Sequence, residues 1–118
     1  MHVVLIILIG ITFASLGQIL WKIGMDEIGA VYEISLLNII PMIYNVYIIS
    51  GLLSYGIGTI FWLIALSRAD LSFVYPFIAL TFVIIFTASF FLFHEQISLM
   101  RLFGAIVIIS GIIVLVRG

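Results

Sequence analysis

The sequence predicts an all-α, polytopic membrane protein: a single domain over residues 1–118, with four transmembrane helices at about 3–22, 43–66, 72–93 and 98–116. Three observations lead there. Of the 118 residues, 66% are hydrophobic and only 8% are charged, whereas a soluble domain carries about 25% charged residues. The charges (Lys22, Arg68, Arg101, Arg117, Asp26, Glu27, Glu33, Asp70 and Glu95) leave four strongly apolar, charge-free stretches at 1–21, 34–67, 71–94 and 102–116. None of the four alternates polar and apolar residues as a barrel strand would, so helices are what can satisfy the backbone in lipid.

The elements follow in order. A span needs about 20 apolar residues, and the first stretch supplies them. It lacks a basic leading segment, and Lys22 follows it rather than preceding it, so it reads as a retained helix and not a signal peptide. Residues 23–40 form a polar linker. There Asp26, Glu27 and Glu33 alternate with Ile28, Val31, Tyr32, Leu36 and Leu37, a pattern compatible with a short interfacial helix, while the acidity opposes docking on anionic lipid. Pro41 biases Ile40 away from helix, which places the start of the second span between Pro41 and Asn45. The third span begins near Ser72, with Asp70 or Ser72 as cap. Tyr75-Pro76 falls in its first turns, where proline is tolerated at the first position and kinks the helix if deeper. The fourth stretch has 15 charge-free residues and reaches span length by extending back over 98–100 while Arg101 snorkels to the interface.

The connections at 67–72 and 95–99 are short, so spans two, three and four are sequential antiparallel neighbours. Four spans put both termini on one side with Arg68 and Arg117, and put Lys22 and Arg101 on the other. This balance permits insertion in either orientation and hence an antiparallel dimer. Small residues mark close-packing stripes. Gly10, Ala14 and Gly17 in the first span, and Gly51, Ser54 and Gly58 in the second, serve packing within the chain. Gly104 and Gly111, with Ala105 and Ser110 alongside, are the candidate dimer interface. Four helices are too few to enclose a substrate path alone, so the expected assembly is a homodimer or a heterodimer with a paralogous four-helix subunit.

A formal charge of −1 provides no basic field for nucleic acid. With no cysteine, disulfides, thiolate nucleophiles and thiolate-bound zinc are excluded. His2 and His94 lack ligand spacing to acidic partners, so no metal is expected. The absence of nucleophile-elbow, Walker, H-E-x-x-H and dinucleotide-binding motifs leaves no enzymatic chemistry and no cofactor to propose. A mid-membrane charge costs about 2.5–3.5 kcal/mol on insertion scales and would mark an ion site; every charge here lies at a span end or in a loop. Hydroxyls inside spans usually bond their own helix carbonyls. Gln18 cannot, and with Lys22 one turn later on the same face it forms a polar stripe. His94-Glu95 closes the third span, where Glu95 could pair with Lys22 or Arg101.

The residues together resemble the small four-helix proteins of the drug/metabolite transporter superfamily. The resemblance is strongest to EamA-type proteins and the small subunits of the aminoarabinose phosphoundecaprenol flippase. It rests on Gly17-Gln18 with Lys22, Trp62-Leu63 with Ala65-Leu66, Tyr75-Pro76 with Leu80 and Phe82-Val83, His94-Glu95 with Ser98, and Gly104 with Gly111. It implies a transporter or flippase subunit of a prokaryotic inner membrane, moving an amphipathic metabolite or lipid-linked sugar phosphate by alternating access in a dimer. In that reading Lys22 is the phosphate partner, Gln18 and Tyr75 form a hydrogen-bonding wall, Trp62 is an apolar or stacking surface, and Glu95 serves pairing or gating. The small multidrug resistance exporters look like more distant relatives, and that resemblance implies that helices one to three line a chamber. Their membrane-embedded glutamate falls at Ala14 here, and their substrate-stacking aromatic at Ile78. Two alternatives stay open: an exporter of cationic compounds coupled through a peripheral carboxylate such as Glu95, and a non-transporting accessory subunit. If the balanced basic residues allow dual insertion, a C-terminal tag will be labelled from both sides of the membrane; labelling from one side only excludes it.

Overall fold

The computed structural model describes residues 2–118, which are helical with no strand among them. The first helix, α1, runs Val3–Ile28. The Nδ1 atom of His2 accepts the Val4 N–H at its start, and Gly29, at φ 96° in the left-handed region, ends it. At about 1.5 Å per residue these 26 residues extend about 39 Å, beyond a hydrocarbon core of about 30 Å. The helix therefore continues past the expected end at 22 into the segment read as linker. Its surplus turns are held: Lys22 pairs with Asp26 at 3.0 Å along the helix, and Glu27 accepts a hydrogen bond from the Asn45 amide at 3.1 Å.

A second helix, α2, spans Leu36–Ile43. Pro41 lies inside it, so this proline does not mark the start of the second span; lacking an N–H, it leaves the carbonyl of Leu37 without its usual helical donor. None of the α2 residues is buried. Its one polar side chain, Asn38, folds back to donate to the Glu33 carbonyl at 2.8 Å. The second long helix, α3, is Val46–Arg68, beginning three residues later than expected because Asn45 caps it. The Asn45 side-chain oxygen accepts from the N–H groups of Tyr47 at 2.9 Å and Ile48 at 3.2 Å.

The third span is not one continuous α-helix. It consists of α4 (Leu71–Val74), a 3-10 turn (Tyr75–Phe77) and α5 (Ile78–Phe91). Pro76 is the cause: it sits too deep for a first-turn proline and cannot donate to the carbonyl of Ser72. After a connection in which His94 adopts φ 53°, α6 runs Leu99–Arg117, with the Ser98 hydroxyl oxygen accepting the Arg101 N–H. Among the described residues, three stretches are long and apolar enough to cross a membrane, namely Val3–Ile28, Val46–Arg68 and, taken through its break, Leu71–Phe91; Leu99–Leu115 is a shorter apolar helix.

α1 is the hub. One face meets α3 at a seven-residue period: a Cβ built on Gly58 would lie 2.7 Å from the Gly10 carbonyl oxygen, one on Gly17 2.7 Å from the Gly51 oxygen, and one on Gly24 2.8 Å from Asn45 Oδ1. A repeat of seven is the period at which two helices keep a common seam, and only glycine allows the backbones this close. Trp21 closes the seam above Gly51, donating its indole N–H to the Ile48 carbonyl at 3.2 Å and packing on Tyr55. Ser54 donates to the Phe13 carbonyl at 2.8 Å. Elsewhere Ile6, Ile7 and Ile11 of α1 are buried with Ala65 and Val74. α6 is exposed over most of its length, with Ala105 buried, so its apolar surface is left to lipid or a partner. Gly51→Val is expected to lower the thermal unfolding midpoint in detergent by about 5 °C or more. Gly56→Ala, whose added Cβ would meet nothing within 4 Å, should leave it unchanged.

Candidate functional site

The hollow that the helices frame is a cleft with two adjoining parts. One, of about 320 Å³, lies between α1, α3 and α5 and is lined by Gly10, Ile11, Ala14, Gln18, Tyr55, Gly58, Thr59, Trp62, Ile78 and Thr81. The other, of about 790 Å³ and open, lies between the Tyr75–Phe77 turn, α5 and α6, and takes in Gln18, Tyr75, Pro76, Thr81, Ile108 and Gly111. Gln18, Ile78 and Thr81 line both parts. Local sequence builds this arrangement directly. The glycine seam brings α3 close enough for Trp62 to face α1, and the break at Pro76 sets Tyr75 at the rim.

Gln18 is half-buried, and among the described residues its amide makes no protein hydrogen bond. An amide offers two donors and a two-lone-pair acceptor, so it presents unspent hydrogen-bonding capacity at the junction of the cleft. The span hydroxyls behave differently. Thr12, Thr59, Thr87 and Ser110 donate to carbonyls four residues back, at 2.8–2.9 Å. Ser15 does not: it is 2% exposed and its hydroxyl has no partner among the described residues. It lies one turn from both Ile11 and Gln18, on the α1 face turned away from the glycine seam.

Of the residues singled out from sequence, the structure brings together Gln18 and Trp62 in one part of the cleft, and Gln18 and Tyr75 in the other. Lys22 and Glu95 line neither. Lys22 is half exposed and paired with Asp26, so the expected pairing of Glu95 with Lys22 is replaced by an i,i+4 pair within α1 that the sequence spacing itself contained. Glu95 lines a separate open hollow of about 830 Å³ with His94, Ser98 and Arg101, between α5 and α6. Gly111 lies on the α6 wall of the cleft, and a Cβ on Gly104 or Gly111 would meet nothing within 4 Å. Sequence reasoning passed over Tyr55, Thr59 and Thr81 as cleft residues, because hydroxyls inside spans are common. Their signal was the 3–4-residue spacing of Tyr55, Thr59 and Trp62, which puts them on one helix face.

Electrostatically the cleft is neutral: no charged side chain lines either part. Ala14 and Ile78 both line it, so the wall is apolar and aliphatic at these two positions. Among the described residues, no group of three His, Asp or Glu side chains is placed to hold a metal. The cleft can hydrogen-bond a neutral polar group through Gln18 and hydroxyls, and hold apolar matter against Trp62, Ile78 and α6.

Comparison with known proteins fits this picture. The EamA-like transporter family matches residues 44–117. The chain is similar to probable 4-amino-4-deoxy-L-arabinose-phosphoundecaprenol flippase subunits. It is 36% identical over 67 residues to that of Pseudomonas aeruginosa strain UCBPP-PA14, covering 57% of this chain and 58% of the relative. It is 33% identical over 73 residues to that of Aeromonas salmonicida, covering 62% and 64%, and 36% identical over 65 residues to that of Salmonella enteritidis, covering 55% and 59%. The aligned part thus spans less than two thirds of the length of these relatives. No solved structure matches the chain significantly. The resemblance read from the motifs is borne out.

Proposed function

The chain belongs to the EamA-like transporter family, and we propose that this multi-pass membrane protein is a transporter or flippase subunit moving an amphipathic metabolite or lipid-linked sugar phosphate by alternating access. The observation that carries the proposal is the cleft: a hydrogen-bonding but uncharged hollow, reached between helices whose outer faces are apolar. A headgroup would enter it at Gln18 and Tyr75 and lie against Trp62, while its tail stays in the bilayer. Lys22, half exposed at the edge of the first span, is the candidate partner for a phosphate that does not enter. Glu95, in its separate hollow with His94 and Arg101, is assigned to gating.

α6 crosses the membrane as the fourth span, and the chain works as a dimer through the flank of Gly104 and Gly111, where an added Cβ would meet nothing within 4 Å and where Gly111 borders the open part of the cleft. The partner is a second copy or a paralogous four-helix subunit; the relatives' name, which includes the word subunit, supports the second. The membrane is the bacterial inner membrane, where an undecaprenol-linked cargo such as the one in that name is handed across. The absence of a carboxylate in the cleft argues against the proton-coupled export of cations.

Reconstitution tests this. Proteoliposomes holding the chain, alone or with a paralogous partner, should move a fluorescent polyprenyl-phosphate sugar between leaflets, read as loss of dithionite accessibility. Gln18→Leu is expected to slow the movement at least tenfold, and Lys22→Ala to raise the half-saturating substrate concentration several-fold. No movement with either composition would point instead to an accessory subunit, and unchanged binding in Lys22→Ala would remove Lys22 from the site.

A further inference from the structure

We propose that the group this cleft accommodates is an uncharged, hydroxyl-bearing headgroup, a neutral sugar, and not an ammonium or a phosphate. The inference rests on the cleft being the transport site and names the chemical class that the site takes.

Its basis is what the lining can and cannot do. The polar groups that reach the cleft are an amide, Gln18, and hydroxyls, chiefly Thr59, Thr81 and Tyr75. Thr59 gives its proton to the Tyr55 carbonyl at 2.9 Å, so its oxygen faces a ligand as an acceptor; the Gln18 amide, without a protein partner, offers both donors and acceptors. Mixed neutral donors and acceptors match sugar hydroxyls, each of which both gives and takes a hydrogen bond. An apolar ring beside them, Trp62, suits the C–H face of a sugar.

A charged group would find no counter-charge. The carboxylates nearest in sequence to Gln18 are Asp26, joined to Lys22 at 3.0 Å, and Glu27, which accepts from Asn45; Glu95 and Arg101 line a different hollow. Isolated charge in a membrane interior is strongly disfavoured. Several aromatic faces around one point could replace a carboxylate for a cation, but the Tyr55 ring is packed against Trp21 at 5.1 Å, and the other cleft aromatics, Tyr75 and Phe82, line the open part rather than the part that holds Trp62. A phosphate fares no better, since the cleft holds neither Lys nor Arg. The sugar in the relatives' name carries a 4-amino group, and this lining has no acid to receive one.

The test uses the whole chain in nanodiscs with Trp21→Phe, which leaves Trp62 as the single tryptophan reporter and preserves an aromatic ring over the glycine seam; unchanged helicity by circular dichroism confirms the fold. Three probes share one tail and differ in headgroup: octyl glucoside, octyltrimethylammonium and octyl phosphate, each below its micellar concentration. Octyl glucoside should change Trp62 emission saturably, at a half-saturating concentration at least tenfold below either charged probe. A Gln18→Glu change should reverse the order in favour of the ammonium, a gain that misfolding could not produce. Equal or tighter saturation by a charged probe in the Gln18 protein overturns the neutral class while leaving the cleft a binding site. No saturable change with any probe overturns the cleft itself as the site, and the inference with it.

Discussion

Backbone against backbone, α1 and α3 approach at Gly10 and Gly58, at Gly17 and Gly51, and at Gly24 beside Asn45, so closely that an added Cβ would fall 2.6–3.1 Å from a carbonyl oxygen or a side-chain atom opposite. In lipid there is no hydrophobic drive to press helices together, so close van der Waals packing through small residues takes that role. The seam occupies one face of α1. Because it is so narrow, the opposite face, with Ile7, Ile11, Ser15 and Gln18, is left to meet α5, and the hollow between α1, α3 and α5 has its width set by residues that are not in it. A bulky side chain anywhere along the seam would push α3 away and move Trp62 relative to Gln18.

The distribution of charge follows the same plan. The charged side chains lie at the ends of the apolar stretches or between them, and those at the end of α1 are engaged: Lys22 with Asp26, Glu27 with Asn45. What remains inside is neutral hydrogen-bonding capacity. Such a cleft can offer a polar headgroup partners for its hydroxyls without a fixed charge, while the broken third span, whose turn at Tyr75–Phe77 adjoins the cleft, supplies a place where the wall departs from regular helix. Irregular backbone at membrane depth is tolerated where it lines a cavity, and Pro76 puts it there.

Much of this was legible in the sequence. Charge-free runs located the later three apolar segments to within three residues at each end, the glycine stripes of the first two spans were read as internal packing, and Gln18 stood out as an amide that no helix carbonyl could satisfy. Other features were not legible, for physical reasons. The overrun of α1 to Ile28 depends on the contacts of Gly24 and Glu27 with α3, which are tertiary and invisible to a count of charges. Pro41 looks like a helix beginning because local rules place proline there, and Pro76 reads as either a helix start or a kink; Pro41 instead lies within α2, and Pro76 breaks the third span with a 3-10 turn. Lys22 and Glu95 drew attention as rare charges. One is neutralised by its own helix and the other sits in a separate hollow, whereas Thr59 and Thr81, ordinary in composition, line the cleft.

The central claim is that the α1 face carrying Ile11, Ala14 and Gln18 borders a hydrated cleft while the faces on either side are sealed by the glycine seam or by lipid. The chain contains no cysteine, so single cysteines can be introduced without background at each position from 10 to 22 and reacted with a small, membrane-impermeant thiosulfonate in vesicles. The account predicts fast reaction at 14 and 18, and slow reaction at 11, which is buried against α3 and the third span, at 17 in the seam, and at 12 and 16 toward lipid. Uniform protection across the helix, or a reactive face centred on 10 and 17, would contradict it.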